Sequence, residues 1–139
     1  MRIILLSALL LGGATGTAHA ADTGYFKTPS ANIVCYYSPD AVACGIQSGL
    51  KPAPKRVDCH GEGDFTDNRL VLGKTGRAKP QTCAGDVGPF AGLEEGARTL
   101  RYGQSIRSGR LRCTSAKKGL TCRNRTHGFF LSRQRWRAL

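Results

Sequence analysis

Six cysteines, at 35, 44, 59, 83, 113 and 122, constrain this chain more than any other feature, because four of them repeat one spacing. Cys35 to Cys44 and Cys113 to Cys122 are both C-x8-C. Each pair flanks a turn signal, Ser38-Pro39-Asp40-Ala41 in the first and Ala116-Lys117-Lys118-Gly119 in the second. The spacing predicts two β-hairpins with four-residue loops. Folded symmetrically, they set Cys35 opposite Cys44 and Cys113 opposite Cys122, and Cα atoms about 4.5 to 5.5 Å apart across a ladder lie within disulfide reach. Cys59 and Cys83 are then left to each other. Zinc is the competing use of such residues. No C-x2-C pair is present and only His60 and His127 would assist, so neither a metal nor a cofactor is expected.

Export would place all six in a compartment where oxidation is permitted. Met1 to Ala20 supplies the pattern of a signal peptide: Arg2, the apolar run Ile3 to Leu11, then Ala18-His19-Ala20. Cleavage after Ala20 would leave 119 residues with a net charge of +11. That length fits one domain, residues 21–139, with 21–24 and 138–139 expected to be flexible. No remaining apolar run approaches the roughly 18 residues of a transmembrane helix. A periplasmic or extracellular location is expected. Leu, Ile, Val and Phe make up only 22 of the 119 residues, and 15 glycines add to the entropy that folding must overcome. Closed disulfide loops contribute something like 2 to 4 kcal/mol each, comparable with the whole stability of a small domain. Crosslinks therefore take over part of the work of the core.

No segment carries a sustained helical apolar period, so the expected fold is mainly β. A small disulfide-stapled antiparallel β-sandwich or partly open barrel fits the pattern. Arg110 to Ser115, Leu120 to Asn124 and Gly128 to Ser132 read as a C-terminal three-strand meander, with a short helical turn from Ser132 to Trp136 closing the chain. Residues 47 to 97 read as loop-rich, with one strand candidate at Leu70-Val71-Leu72. Ser30 to Cys35 and Ser108 to Cys113 resemble each other 78 residues apart. Either a pseudo-twofold β-domain or a coincidence of hairpin chemistry accounts for that.

Charge is uneven. Residues 21 to 96 hold eight basic and nine acidic groups, whereas residues 97 to 139 hold twelve basic and none acidic. Strand alternation sorts the second hairpin into a core side of Leu111, Cys113, Leu120 and Cys122 and an outer side of Arg110, Arg112, Arg123 and Arg125. The disulfide register sets Arg112 against Arg123 and Arg110 against Arg125, an arrangement that costs tenths of a kcal/mol per pair. Pairing Asn124 with Phe129 sends Phe129 and Leu131 inward and leaves Phe130 outside beside Arg123. With Arg133, Arg135, Trp136 and Arg137 nearby, guanidinium forks and ring faces suit an anionic partner: an acidic glycan, a lipid headgroup, a nucleic acid or an acidic protein. A solvated charge run, with Phe130 or Trp136 covered by the 47 to 97 loops, is the alternative. No helix-turn-helix, zinc-finger or RNP signature is present.

Catalytic signals are sparse. His60 and His127 would be the general acid and base of a small secreted ribonuclease-like hydrolase, the second functional reading. Each also has a local explanation, beside Cys59 and in the turn Arg125 to Gly128. No Gly-x-Ser-x-Gly is present. Asp58, Glu62, Asp64 and Asp67 lack EF-hand order and read as a solvated loop or an internal partner for the arginines. Asn124-Arg125-Thr126 matches a glycosylation tripeptide by spacing alone. A third reading is a secreted inhibitor presenting the 47 to 97 loops.

Several stretches carry a resemblance: Phe26 to Cys35, Cys83-Ala84-Gly85-Asp86, Leu100-Arg101-Tyr102-Gly103, Gly119 to Asn124 and Gly128 to Arg133. Together they resemble a family of small exported bacterial proteins catalogued as a domain of unknown function. That family opens with Pro-Ser-Gly-Asn-Ile-x-Cys and closes with Leu-Thr-Cys-x-Asn followed by Gly-His-Gly-Phe-x-Leu-Ser-Arg. The resemblance covers most of residues 25 to 135 and departs from the pattern at Ala31 and Thr126, where the family has Gly. It implies export and six-Cys packing, supplies no activity, and draws attention to His127 and Arg133.

Overall fold

The computed structural model describes residues 22–85 and 95–139, which form strands and no helix. The proposed signal peptide and residues 86–94 of the central stretch lie outside the described residues. In chain order the strands are β1 (Gly24–Lys27), β2 (Ile33–Tyr37), β3 (Ala41–Ile46), β4 (Asp64–Phe65), β5 (Arg69–Gly73), β6 (Lys79–Pro80), β7 (Cys83–Ala84), β8 (Arg98–Thr99), β9 (Ser105–Ser108), β10 (Leu111–Ala116), β11 (Gly119–Arg123), β12 (Gly128–Leu131) and β13 (Trp136–Ala138). One sheet runs β6-β5-β3-β2-β1-β8, a second runs β13-β12-β11-β10-β9, and β4 pairs with β7. All neighbours are antiparallel except β1 with β8.

Both C-x8-C hairpins form, and both close more tightly than four-residue loops. Tyr37 faces Val42 and Ser38 N–H donates to Ala41 O, leaving Pro39 and Asp40 at the tip. Ala116 faces Gly119, leaving Lys117 and Lys118. Cys35 bonds Cys44 and Cys113 bonds Cys122, with Cα separations of 4.1 and 4.0 Å, the near approach of a non-hydrogen-bonded pair. Cys59 bonds Cys83 and ties the β4–β7 ribbon.

The two large sheets share one core. Phe26, Cys35, Val42, Cys44, Leu70 and Leu72 of the first sheet cluster with Leu111, Cys113, Leu120, Cys122, Phe129 and Leu131 of the second. Period-two burial explains it: β3 reads half-buried and buried alternately, β10 buried then exposed or half-buried. The arrangement is a two-sheet sandwich in which both hairpin disulfides are core residues.

The 78-residue resemblance is the trace of a larger repeat. β1-β2-β3-β5-β6 and β9-β10-β11-β12-β13 are each a five-strand meander in the same order. Across the disulfide row the first reads Phe26, Cys35, Cys44, Leu70, Pro80, and the second Ile106, Cys113, Cys122, Phe129, Ala138. What distinguishes the halves is the connection before the fourth strand. It spans residues 47–68 and includes β4 in the first half, and only residues 124–127 in the second.

Two local expectations change. No helical turn follows Ser132: its N–H donates to Arg135 O, a tight turn that returns the chain as β13, with Trp136 facing Leu131. Ala138 lies opposite Phe129, and Leu139 makes a two-way backbone exchange with Gly128. The C-terminal meander also has five strands, not three.

Two residues act against their surroundings. Ala31 sits at φ 57°, in the left-handed region where a Cβ is penalised by roughly 1 to 2 kcal/mol. Ser115 is buried with its hydroxyl unpaired. Ala31→Gly should raise the denaturation free energy by about 1 kcal/mol, less what glycine adds to unfolded-chain entropy. Ser115→Ala should be neutral or stabilising, since it removes a buried polar group that has no partner. Chemical denaturation of the oxidised protein reads both.

Candidate anion-binding site

The disulfide row decides where the arginines go. One step from Cys113 and Cys122, Arg112 pairs with Arg123 and therefore points to the opposite face, exposed. Arg112 also pairs with Arg107 of β9 on its other side. Three arginines thus stand in one row on three adjacent strands, about 5 Å from strand to strand. Arg107 escaped the sequence reading because Ser105 to Ser108 is too short and too polar to announce a strand.

Arg110 and Arg125 join this row from turns rather than from the ladder. Ser108 faces Leu111, so Arg110 occupies the β9–β10 turn, and β11 ends at Arg123 before Arg125. The expected pairing of Arg110 with Arg125 across the strands is therefore absent. Both still border the groove that holds Arg107, Arg112 and Arg123, whose volume is about 260 Å³. The Arg112 guanidinium donates to Ser105 Oγ at 3.3 Å. Among the described residues Asp40 pairs with Lys74 and Asp58 with His60, and neither pair involves an arginine of this face.

Arg133 belongs elsewhere. It occupies the β12–β13 turn, at the far end of the sheet from Arg110 and Arg125, and lines a separate cavity with Lys117 and Lys118. Phe130 is on the arginine face but opposite Thr121, while Arg123 faces Gly128. The expected pairing of Asn124 with Phe129 was off by two residues. An even slip preserves the face, so Phe129 and Leu131 still enter the core and Phe130 still points outward. Phe130 is occupied: its ring covers Gly119, where a Cβ would fall 2.8 Å from Phe130 Cζ, and the Arg137 guanidinium lies 5.7 Å from its centroid. Trp136 is covered by the central loop, its backbone N–H donating to Lys51 O and its indole to Pro52 O.

The repeat offers an internal control. In the first sheet, the positions equivalent to Arg112 and Arg123 are Val34 and Gly45. The same scaffold therefore folds with a buried valine and a glycine there. Opposed arginines are not a requirement of the hairpin, and they carry a small repulsive cost.

The histidines are not brought together at a site. His60, at φ 50° and highly exposed, lines a cavity of about 470 Å³ formed by residues 56–65, to which His127 does not contribute. His127 stands in the 124–127 turn with Nδ1 2.9 Å from Thr126 Oγ1. No three His, Cys, Asp or Glu side chains converge as metal ligands among the described residues. Burial holds the Arg69 guanidinium below its ordinary pKa.

Asn124 frames the groove from beneath. Its Nδ2 donates to Gly73 O at 3.0 Å and Gly76 O at 2.9 Å, and its Oδ1 accepts from the N–H groups of Thr126 and His127. Buried and with both amide atoms hydrogen-bonded, this side chain is not accessible as a glycosylation acceptor in the folded chain. It also explains the Asn without appeal to function, since it joins the β11–β12 turn to the β5–β6 loop.

The chain belongs to DUF6636, a family of unknown function, which matches residues 4–139. No curated protein and no solved structure matches it.

Asn124→Ala strands two loop carbonyls and two turn N–H groups. A loss of about 2 to 3 kcal/mol in denaturation free energy is expected, with the arginines left in place.

Proposed function

We propose that this is an exported, disulfide-stabilised binding module whose arginine row engages a polyanion. The observation that carries the reading is the Arg107, Arg112, Arg123 row: three exposed guanidiniums on adjacent strands, with no carboxylate facing them among the described residues. Arg110 and Arg125 extend it at the rim. Guanidiniums present planar forks of donors suited to phosphate, sulfate and carboxylate, and a row of them suits an extended ligand laid across the strands. A ligand bound there would release counterions, so binding would weaken steeply with salt.

Three disulfides mark an oxidising environment, and the reading of Met1 to Ala20 as a signal peptide accounts for how the chain reaches it. Among the described residues no helix is long and apolar enough to cross a membrane.

The test is a salt series of the oxidised protein against labelled single-stranded RNA and a sulfated polysaccharide, with strand integrity read on the same RNA samples. The wild type should bind with a steep salt dependence and leave the RNA intact. R112Q/R123Q should flatten the log–log salt slope by about one for each arginine removed. Its stability should hold or rise by tenths of a kcal/mol as cross-strand repulsion is relieved. Unchanged binding in this folded variant would reduce the row to solvated surface, and RNA cleavage abolished by His60→Ala or His127→Ala would replace the reading with catalysis.

A further inference from the structure

At the other end of the sandwich, six residues of strand or about 20 Å from the arginine groove, lies a cavity of about 290 Å³ built by turns from both sheets. The β1–β2 turn supplies Thr28, Ser30 and Asn32, the chain entering β9 supplies Tyr102, and the β10–β11 and β12–β13 turns supply Lys117, Lys118 and Arg133. We propose that this cavity binds a single carboxylated sugar unit, a uronic acid, in a site separate from the arginine row.

Charge comes first. Lys117, Lys118 and Arg133 are all exposed, make no ion pair or hydrogen bond to other described side chains, and share the lining with no carboxylate. Three unneutralised cations converging from two turns favour an anionic ligand.

Hydrogen-bond capacity then separates a sugar acid from a bare anion. Thr28 Oγ1 donates to Ile33 O, and Ser132 Oγ donates to Arg135 O while accepting from Arg135 N–H, so each hydroxyl has spent its proton and keeps acceptor capacity, Ser132 a single lone pair. The Asn32 amide donates one N–H to Ser48 Oγ, leaving its carbonyl oxygen and second N–H, and Ser30 Oγ accepts from Asn32 N–H and keeps its own O–H to donate. Acceptors and donors side by side suit a ligand whose hydroxyls both donate and accept, as a sugar's do, whereas sulfate would leave the acceptors unused. Tyr102 is exposed, at 48%, and gives a ring face at the rim for the C–H side of a pyranose. The volume lies at the small end of ligand sites, the scale of one monosaccharide.

Turn chemistry points the same way. In the first half of the repeat the equivalent hairpin closes on Pro39 and Asp40, ordinary turn formers. The second closes on Lys117 and Lys118, adjacent like charges where a hairpin favours Asn, Asp or Gly. The strained Ala31 lies in the turn on the other wall. Local rules are broken on both sides of one cavity, the pattern expected where a site and not the fold selects the residues.

The experiment is an NMR titration of the ¹⁵N-labelled oxidised protein with glucuronate, glucose, glucose 1-phosphate and inorganic phosphate in parallel. Glucuronate should saturably shift amides at 28–33, 116–119 and 132–134, at an affinity at least about tenfold above that of glucose, or roughly 1.4 kcal/mol. K117Q/K118Q should remove that margin, Tyr102→Ala should weaken binding of both sugars, and R112Q/R123Q should leave the titration unchanged. Glucose binding as well as glucuronate, or phosphate alone shifting the same amides as strongly, would overturn the proposal. So would preferential binding of glucose 1-phosphate, or no saturable shift with any probe. Because R112Q/R123Q touches only the arginine row, failure of that row and failure of this cavity are read separately.

Discussion

The rest of the structure depends on two cystines placed opposite each other in register at the centre of two hairpins. A crosslink between facing positions does more than shorten the unfolded chain. It fixes which residue opposes which, and with a side-chain period of two this settles the face of every residue on both strands. Cys35, Cys44, Cys113 and Cys122 are also almost completely buried, in contact with the leucines and phenylalanines of one shared core. In a chain with so few large apolar residues, the same sulfur atoms serve as crosslink, register mark and core.

That dependence explains what was legible in the sequence. Spacing alone located both hairpins, and from their parity the inward Leu111 and Leu120 and the outward Arg112 and Arg123 followed. Parity also protected the reading of Phe129, Phe130 and Leu131 from an error of two in the register. Short strands without crosslinks were not legible. β9 reads Ser-Ile-Arg-Ser and β13 reads Trp-Arg-Ala, and neither contains enough alternation to distinguish a strand from a polar turn. Arg107 was lost with β9. Arg133 was misplaced for a related reason, since the turn Ser132 to Arg135 sends it to the opposite end of the sheet.

Repetition separates what the scaffold needs from what it carries. Both meanders keep the disulfide row and its apolar neighbours, and they differ on their outer faces. The rings of Tyr25 and Tyr36 meet at 5.1 Å, tilted by 53°, on the first sheet, and the equivalent pair on the second is Ser105 and Thr114, joined by a 2.8 Å hydrogen bond. Val34 and Gly45 give way to Arg112 and Arg123. Stability alone favours the first set in each comparison, because aromatic contact and burial contribute more than exposed like charges cost. The polar, cationic character of the second sheet is thus an addition to the fold and not a condition of it.

The third disulfide fits the same division. Where the second half turns tightly at residues 124–127, the first half makes the excursion 47–68, which Cys59 and Cys83 staple to the β4–β7 ribbon. The excursion is used against the other sheet: Lys51 and Pro52 present carbonyls to Trp136 and so cover the edge strand β13, which would otherwise offer unpaired backbone to another chain. In the reverse direction, Asn124 of the second half holds the loop after β5. These two polar ties, one at the free edge and one beneath the arginine groove, bind the halves through loops and turns. Neither uses a cation of the outer face, so the tie between the halves is made without the arginines of the row.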